Sequence, residues 1–244
     1  MSTDKFITRE NLNDYLKELA KAFRRLNGTK VPAEVILIGG AAVLANYGFR
    51  EMTYDIDAII HASSVMKSAI NHVGDKYGLP NGWFNADFQR TASYSAKLSE
   101  VSVYYKTYSN VLQVRTVAAE YLIAMKLVSG RQYKNDLSDV AGILLEHKRR
   151  GEPIERAVIE AAKKKLYGDV TLPETSAELL NTAFASGDYE KLYNESRENE
   201  KLSKEILVEF ERDYPNTLKG ENISGIIERA KQKRAIAQGE DDNN

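Results

Sequence analysis

The sequence predicts a mixed α/β (α+β) fold, in which a small sheet is flanked by helices and followed by a helical C-terminal region. Two short apolar segments at 34–38 and 55–60 have strand character and are separated by a glycine pair and a run of small residues. Residues 98–108 and 111–117 alternate as the two strands of an antiparallel hairpin do. Beyond residue 151 only helical periodicity continues. These patterns together favour a small mixed sheet over an all-helical or all-β fold.

Composition and charge limit the possible classes of protein. The chain has 244 residues, 43% hydrophobic and 28% charged, with a formal net charge of −1. These values are typical of a soluble globular protein and give no sign of a membrane partner. Cysteine is absent, which excludes disulfides and thiolate chemistry. Because residues 1–10 are polar and resemble no signal peptide, we expect a cytoplasmic protein.

The first half of the chain begins with a predicted amphipathic helix. Thr8 is a favourable N-cap, apolar residues then follow at helical spacing, and Gly28 ends the run. The elements expected next are a strand over 34–38, a small-residue helix over 41–47, a strand over 55–60, a helix from 63 or 64 to about 77, and irregular chain over 78–88.

The second half contains the predicted hairpin and a series of helices. The hairpin turn is expected at Ser109–Asn110, and Gly130 separates two helices at 118–129 and 135–149. Further helices are expected at 153–166, 174–185, 187–213 and 221–236, with a frayed acidic tail at 239–244. We therefore divide the chain into a core domain at 1–150 and a helical extension at 151–244.

Two aspartates are the strongest candidates for chemistry. Asp55 and Asp57 are two residues apart on a predicted strand, so both project to one side while Ile56 is buried on the other. Two carboxylates on one face repel unless a cation lies between them, and Mg²⁺ (or Mn²⁺) is the usual cation where phosphates are handled. Alternatively, one aspartate ends the strand or pairs with Arg50.

A glycine pair precedes the aspartates. Gly39 and Gly40 allow close approach of the backbone to a ligand, and the helix that starts near Ala41 offers free N–H groups to an anion. The alternative is a tight turn without a ligand. A phosphate cradle beside a metal-binding pair is the outline of a phosphoryl- or nucleotidyl-transfer site.

These residues resemble the signature of the DNA polymerase β-like nucleotidyltransferase superfamily, a glycine turn at a helix start followed by Asp-x-Asp. Gly39 and Gly40 match the turn, and Asp55 and Asp57 match the carboxylates. The spacing between them is similar to that of the abortive-infection (AbiEii-type) toxin branch, and the resemblance covers roughly residues 34–147. It implies transfer of a nucleoside monophosphate from an NTP to a hydroxyl of RNA (tRNA) or protein, in a toxin–antitoxin or phage-defence setting.

A second cluster is similar to the Lys…Arg…Asp-x-x-Asp element of that branch. Lys126 lies in an apolar helix, where a cation needs an anionic partner such as a triphosphate. Arg131 could add a forked phosphate contact. Asp136 or Asp139 could orient Lys126 or receive the proton of the acceptor, although aspartates at a helix start are also typical of capping.

The third carboxylate of many superfamily members has no obvious equivalent. The strand expected to carry it, 111–117, offers Gln113 and Arg115 instead. Glu100 is a weak substitute, and Asp87 would have to reach in from a loop. Two other functions therefore remain open: a catalytically weak nucleotide-binding regulatory module, and a non-catalytic interaction protein.

Macromolecular partners are suggested by two further features. The helical extension could dock an antitoxin or another protein. Short basic runs could align into a strip that binds RNA, although such runs are usually solvated helix faces; they lie at 148–150, 163–165 and 231–234.

Overall fold

A five-stranded sheet is the centre of this computed structural model, which describes residues 6–29 and 31–241. Its strand order is β5–β4–β2–β7–β6, and β1 pairs separately with β3. The strands are β1 (Ile7–Thr8), β2 (Ala33–Leu37), β3 (Met52–Thr53), β4 (Ile56–His61), β5 (Phe84–Asn85), β6 (Ser102–Tyr108) and β7 (Leu112–Val117).

Helices precede, connect and follow these strands. They are α1 (Arg9–Asn27), α2 (Gly39–Asn46), α3 (Val65–Tyr77), α4 (Ala119–Ser129), α5 (Asp136–Arg149), α6 (Arg156–Tyr167), α7 (Glu174–Ser186), α8 (Tyr189–Asp213) and α9 (Ile223–Asp241). The predicted fold class, a small mixed sheet with flanking helices and a helical C-terminal region, is confirmed.

Strand directions place the glycine turn beside the aspartates. β2 is parallel to β7 and antiparallel to β4, so β2 ends at the edge of the sheet where β4 begins. The backbone N–H of Ile38 donates to the carbonyl of Asp57 at 3.0 Å. The residues that follow β2 and those that open β4 are therefore direct neighbours.

Local signals in the sequence account for several element boundaries. The hydroxyl of Thr8 accepts from the N–H of Asn11 at 3.4 Å, and the Asn11 amide oxygen accepts from the N–H of Thr8 at 2.9 Å, which closes a capping box on α1. Ser109 and Asn110 have φ of +50° and +56°, as the two central residues of a type I′ hairpin turn require. The predicted α1 start and hairpin turn are both confirmed.

Two local predictions are wrong in detail. Gly39 and Gly40, expected in a turn before the helix, are instead the first two residues of α2. The segment 78–88, expected to be irregular, contains β5, which pairs with β4 so that Asn85 lies opposite Asp57. A strand of two residues is too short to produce a periodic pattern in the sequence.

The C-terminal helices pack on the same apolar core as the sheet. Buried residues from α6, α7 and α8 join the cluster, namely Ile159, Leu166, Leu179, Leu180, Ala183, Tyr189 and Leu192. α9 contacts α8, and Ile227 of α9 is fully buried. Within the described ranges, no helix combines the length and apolarity needed to cross a bilayer. Of the predicted tail, residues 242–244 lie outside the described part of the chain.

Candidate active site

A cleft of about 250 Å³ opens at the edge of the sheet where β2 ends and β4 begins. It gathers residues from four segments of the chain, 38–39, 55–57, 85–93 and 125–136. Its lining consists of Ile38, Gly39, Asp55, Asp57, Asn85, Asp87, Phe88, Thr91, Ser93, Met125, Lys126, Ser129, Arg131 and Asp136. Both predicted clusters, the Gly/Asp pair and the Lys/Arg/Asp element, therefore contribute to one cavity.

The aspartate pair lies at the start of β4. Asp55 immediately precedes the strand and Asp57 is its second residue, while Ile56 between them is fully buried. Burial is the largest cause of a pKa of Asp57 raised to about 6; the Asp55 carboxylate adds to the rise, and Arg131 and Lys126 oppose it. Among the described residues neither aspartate forms a salt bridge, and Arg50, the alternative partner, binds Asp139 instead.

The glycines give the cleft its backbone wall. Gly39 has φ of +55°, and a Cβ built on it would lie 3.6 Å from the Oδ2 atom of Asp57. A Cβ on Gly40 would lie 2.7 Å from the Thr53 hydroxyl oxygen, so this position has no room for a side chain. The side chain of Ala41 is buried, so only its backbone can face a ligand. First-turn amides of a helix have no partner within the helix and suit a phosphate.

Lys126 is the centre of a buried ion network, formed with Asp136, Asp139, Arg131 and Arg50. Its Nζ lies 2.7 Å from Asp136 Oδ1 and 2.9 Å from Asp139 Oδ2. Arg131 Nε reaches Asp136 Oδ2 at 2.8 Å, and Arg50 Nη1 reaches Asp139 Oδ2 at 2.6 Å. The two aspartates thus hold three cations, two of which line the cleft.

The network fixes the charges of its members. Burial works against the charge on Lys126, but Asp136 and Asp139 outweigh it and raise the pKa of the amine. Burial likewise opposes ionisation of Asp136, but Lys126 and Arg131 hold its pKa well below the ordinary value. Asp136 is therefore a poor proton acceptor. Asp139 lies on the far side of Lys126 and faces a second, smaller pocket beside Tyr193.

Asp87 is a further carboxylate that lines the cleft, in addition to Asp55 and Asp57. It opens the 3₁₀ turn Asp87–Arg90, is exposed, lines the cleft, and contributes to the raised pKa of Asp57. The Asn85 amide donates to Asp55 Oδ2 at 3.4 Å. Arg115 of β7, by contrast, is bound through Nε to the Ser102 hydroxyl at 2.7 Å, away from the cleft.

The donor set fits a hard divalent cation that shares its coordination with a substrate. In the described part of the chain, no three His, Asp or Glu side chains lie close enough to hold a metal ion on their own. Mg²⁺ commonly binds through one or two carboxylates and completes its shell with substrate phosphates and water. Asp55 and Asp57 supply two neighbouring carboxylates, which matches this way of binding Mg²⁺.

One wall of the cleft is pinned by the helical extension. The Tyr167 hydroxyl donates to the Ser93 carbonyl at 2.6 Å, and the Ser95 hydroxyl donates to the Leu166 carbonyl at 3.0 Å. The Lys97 amine donates to the carbonyl of Lys165 at 3.0 Å. Because the same loop brings Ser93 into the cleft, the end of α6 supports the shape of the site.

The sequence suggested Arg50 only as an alternative partner of Asp55 or Asp57, and Glu200 was missed. The pairing of Arg50 with Asp139 gave no local signal, because Asp139 is far along the chain. Glu200 gave one: it falls on the buried stripe of α8 with Leu192, Ser196, Ser203 and Ile206. A carboxylate on the buried face of a helix needs donors from a neighbouring element.

Comparison with known families finds one family model that matches the chain. The model of a family described as "Nucleotidyltransferase of unknown function (DUF6036)" matches residues 14–186. The match includes every residue that lines the cleft and ends before Glu200. Comparisons with curated proteins and with solved structures find no match. The abortive-infection branch stays a prediction.

Proposed function

The chain belongs to this family of nucleotidyltransferases of unknown function, and from that premise we propose that it transfers a nucleoside monophosphate from an NTP to a hydroxyl group of RNA or protein. One observation carries the proposal: the glycine-opened helix, the aspartate pair, Lys126 and Arg131 all line one cleft. A helix N-terminus and two cations opposite a carboxylate pair suit a triphosphate with its bound metal.

The triphosphate would lie between α2 and the ion network. The first-turn amides at Gly39 and Gly40 would donate to phosphate oxygens, and Lys126 would contribute a fixed positive charge. The Arg131 side chain is 43% exposed, which leaves part of its guanidinium open to a phosphate. Lys126 cannot lose its proton readily beside two aspartates, so its role is electrostatic.

Asp55 and Asp57 are the residues that would hold Mg²⁺ or Mn²⁺. A bound divalent cation would neutralise phosphate charge and polarise the reacting phosphoryl group. Because burial and the Asp55 carboxylate both raise the pKa of Asp57, a cation held by the pair would offset both effects and favour the ionised form.

The reaction would be an in-line displacement at the α-phosphorus. The acceptor oxygen forms a bond to phosphorus, the bond to the β-phosphate oxygen breaks, and pyrophosphate leaves. The acceptor proton needs a carboxylate with room to take it. Asp87 is exposed at the cleft, whereas Asp136 is held by two cations and Asp139 faces away. We therefore assign the proton to Asp87.

Label transfer tests the activity directly. The purified protein is incubated with each α-³²P-labelled NTP, Mg²⁺ or Mn²⁺, and either total RNA or the protein itself. We expect transfer by the wild type and by the exposed-site control Asp75→Asn, and none by Asp55→Asn/Asp57→Asn. Asp87→Asn is expected to lower the rate by roughly 10²–10⁴-fold, the contribution typical of a general base.

A catalytically weak nucleotide-binding module is the second candidate, favoured by the lack of a three-carboxylate cluster among the described residues. Metal-dependent NTP binding without transfer to any acceptor would support it. Loss of both binding and transfer would rule out the two nucleotide functions together.

The biological setting is a separate proposal, based on resemblance to the abortive-infection toxins. If the protein is a toxin, induced expression should arrest bacterial growth, and the Asp55→Asn/Asp57→Asn variant should not. Equal growth of both strains at matched protein levels would argue against a toxin role without touching the chemistry.

A further inference from the structure

Glu200 is a buried carboxylate on α8 that the catalytic scheme above does not use. Only 3% of the residue is exposed, and it lies beyond the segment that matches the family model. Ionisable side chains are seldom buried to this degree without bound donors.

The donors come from the first turn of α5. Glu200 Oε1 accepts from the backbone N–H groups of Leu137 at 3.0 Å and Ser138 at 3.1 Å, and Oε2 accepts from the Ser138 hydroxyl at 2.6 Å. Free amides at a helix start are usually capped by the residue just before the helix. Here Asn135 makes no side-chain cap, and its Oδ1 instead accepts from Lys204 at 2.9 Å. α5 is therefore capped by another helix.

The capped amides lie between the two aspartates of the ion network. Asp136 and Asp139, on either side of Leu137 and Ser138, point to Lys126 and cannot cap their own helix. A displacement of this first turn would move both carboxylates away from Lys126 at once. The position of Lys126 in the cleft thus depends on the start of α5.

We propose that Glu200 is a positioning residue for the nucleotide site: from α8 it fixes the first turn of α5 and, through Asp136 and Asp139, the amine of Lys126. The assignment of Lys126 to the triphosphate rests on the proposed function, whereas the action of Glu200 on Lys126 does not. The segment that matches the family model therefore does not contain every residue that positions Lys126.

Several charged groups face Glu200. Asp136 and Asp139 lie on α5, and Lys204 lies one turn further along α8. Burial is the largest cause of a pKa raised to about 7, the two aspartates add to it, and hydrogen bonds from Ser138 oppose it. Glu200→Gln keeps an acceptor for the amides without the charge, and so separates capping from electrostatics.

The test measures the reactivity of Lys126. Wild type, Glu200→Ala, Glu200→Gln and the exposed-site control Glu198→Ala are treated with an acetylating ester below the melting temperature, and acetylation of Lys126 is followed by mass spectrometry. Amide hydrogen exchange is recorded at Leu137 and Ser138, with α1 as the control for global opening. Dissociation constants for each NTP with Mg²⁺ are measured in parallel.

We expect Glu200→Ala to raise both Lys126 acetylation and exchange in the first turn of α5 about tenfold, the effect of losing a helix cap, with α1 unchanged. NTP affinity should fall by a similar factor. Glu200→Gln and Glu198→Ala should stay near wild type in all three measurements.

Two results would overturn the proposal. Unchanged Lys126 acetylation in Glu200→Ala would show that Glu200 does not position the amine. Raised acetylation together with unchanged NTP affinity would show that the site tolerates the displacement. If the wild type binds no NTP, the proposed function fails, and acetylation alone decides whether Glu200 positions Lys126.

Discussion

Asp57 and Asp136 line the same cleft in opposite electrostatic surroundings. Burial and Asp55 raise the pKa of Asp57 to about 6, whereas Lys126 and Arg131 lower that of Asp136. Divergent pKa values in one cavity are typical of sites in which residues of one type have different roles. The network aspartates bind protein cations, whereas Asp55 and Asp57 are the residues to which the proposed function assigns a divalent cation.

The raised pKa of Asp57 predicts a trade between stability and function. Because its folded pKa lies above the ordinary value, ionised Asp57 destabilises the fold above pH 6. Asp57→Asn should raise the unfolding free energy at pH 8 by about 1 kcal/mol, or 2–4 °C in melting temperature, while abolishing metal-dependent NTP binding.

Thermal melts in metal-free buffer at pH 5 and pH 8 measure this effect. The gain should shrink at pH 5, where Asp57 in the wild type is mostly protonated. If Asp57→Asn melts below the wild type at pH 8, ionised Asp57 does not destabilise the fold and the prediction is wrong.

At the scale of elements, local signals predicted most of the fold. The capping box at Thr8, the hairpin turn at Ser109–Asn110 and the helical periodicity of the C-terminal third each act within a few residues. β5 was missed because a two-residue strand exists only through its pairing with β4. Tertiary pairing, which leaves little pattern in one segment, decides such elements.

At the candidate site, too, local signals could be predicted from the sequence and tertiary contacts could not. Lys126, Arg131, Asp136 and Asp139 lie close together in sequence, so they could be recognised as one cluster, and the structure brings them into contact. That Asp139 also binds Arg50 could not be read from the sequence, because 89 residues separate the two. The sequence therefore predicted the cluster without its full set of partners.

The start of α2 offers a test of the glycine turn. Gly39 and Gly28 both have positive φ, +55° and +72°, and neither has a close steric neighbour: nothing lies within 4 Å of a Cβ on Gly28. Alanine at either position should cost about 1–2 kcal/mol in backbone strain. Only Gly39→Ala, which places a methyl group 3.6 Å from Asp57 Oδ2, should also weaken Mg·NTP binding.

Chemical denaturation and NTP titration of the two variants separate strain from function. Equal loss of affinity in Gly28→Ala and Gly39→Ala would mean that the effect at Gly39 is only destabilisation.

For the whole molecule, the C-terminal helices divide into two groups. α6, α7 and the first half of α8 share the core of the sheet domain, and α8 also supplies Glu200. α9 is in contact chiefly with α8. The core therefore extends well past the predicted domain boundary at residue 150.

Truncated chains test whether α6, α7 and α8 belong to the core and α9 does not. A chain ending at residue 217 keeps the core and should unfold cooperatively, within a few degrees of the full chain. A chain ending at residue 186 loses Tyr189, Leu192 and the Glu200 cap, each buried, and should melt far lower or not fold. Circular dichroism melts compare the three chains, and a stable 1–186 chain would contradict the shared core.

The pH dependence of stability follows from two raised pKa values. Glu200 at about 7 and Asp57 at about 6 both favour the protonated form in the folded state. Their stabilising contribution is complete below the ordinary carboxyl pKa and is lost as pH rises through 6 and 7. The unfolding free energy should therefore fall between pH 5 and pH 8, by about 2–3 kcal/mol for Glu200.

Urea denaturation across this range measures the slope. Glu200→Gln should remove the fall in unfolding free energy near pH 7. The fall near pH 6, which comes from Asp57, should remain. An identical slope in the variant would mean that Glu200 does not titrate between pH 5 and pH 8.

The cap that α8 places on α5 also has a consequence for synthesis on the ribosome. Asp57 and the glycine turn are translated early, but Glu200 follows much later in the chain. At about 5–20 residues per second, the interval is roughly 7–30 s. During this interval the nascent chain carries its aspartates without the cap that orders the cationic half of the cleft. The cationic half of the cleft would then be ordered only after α8 has been translated and has packed on α5.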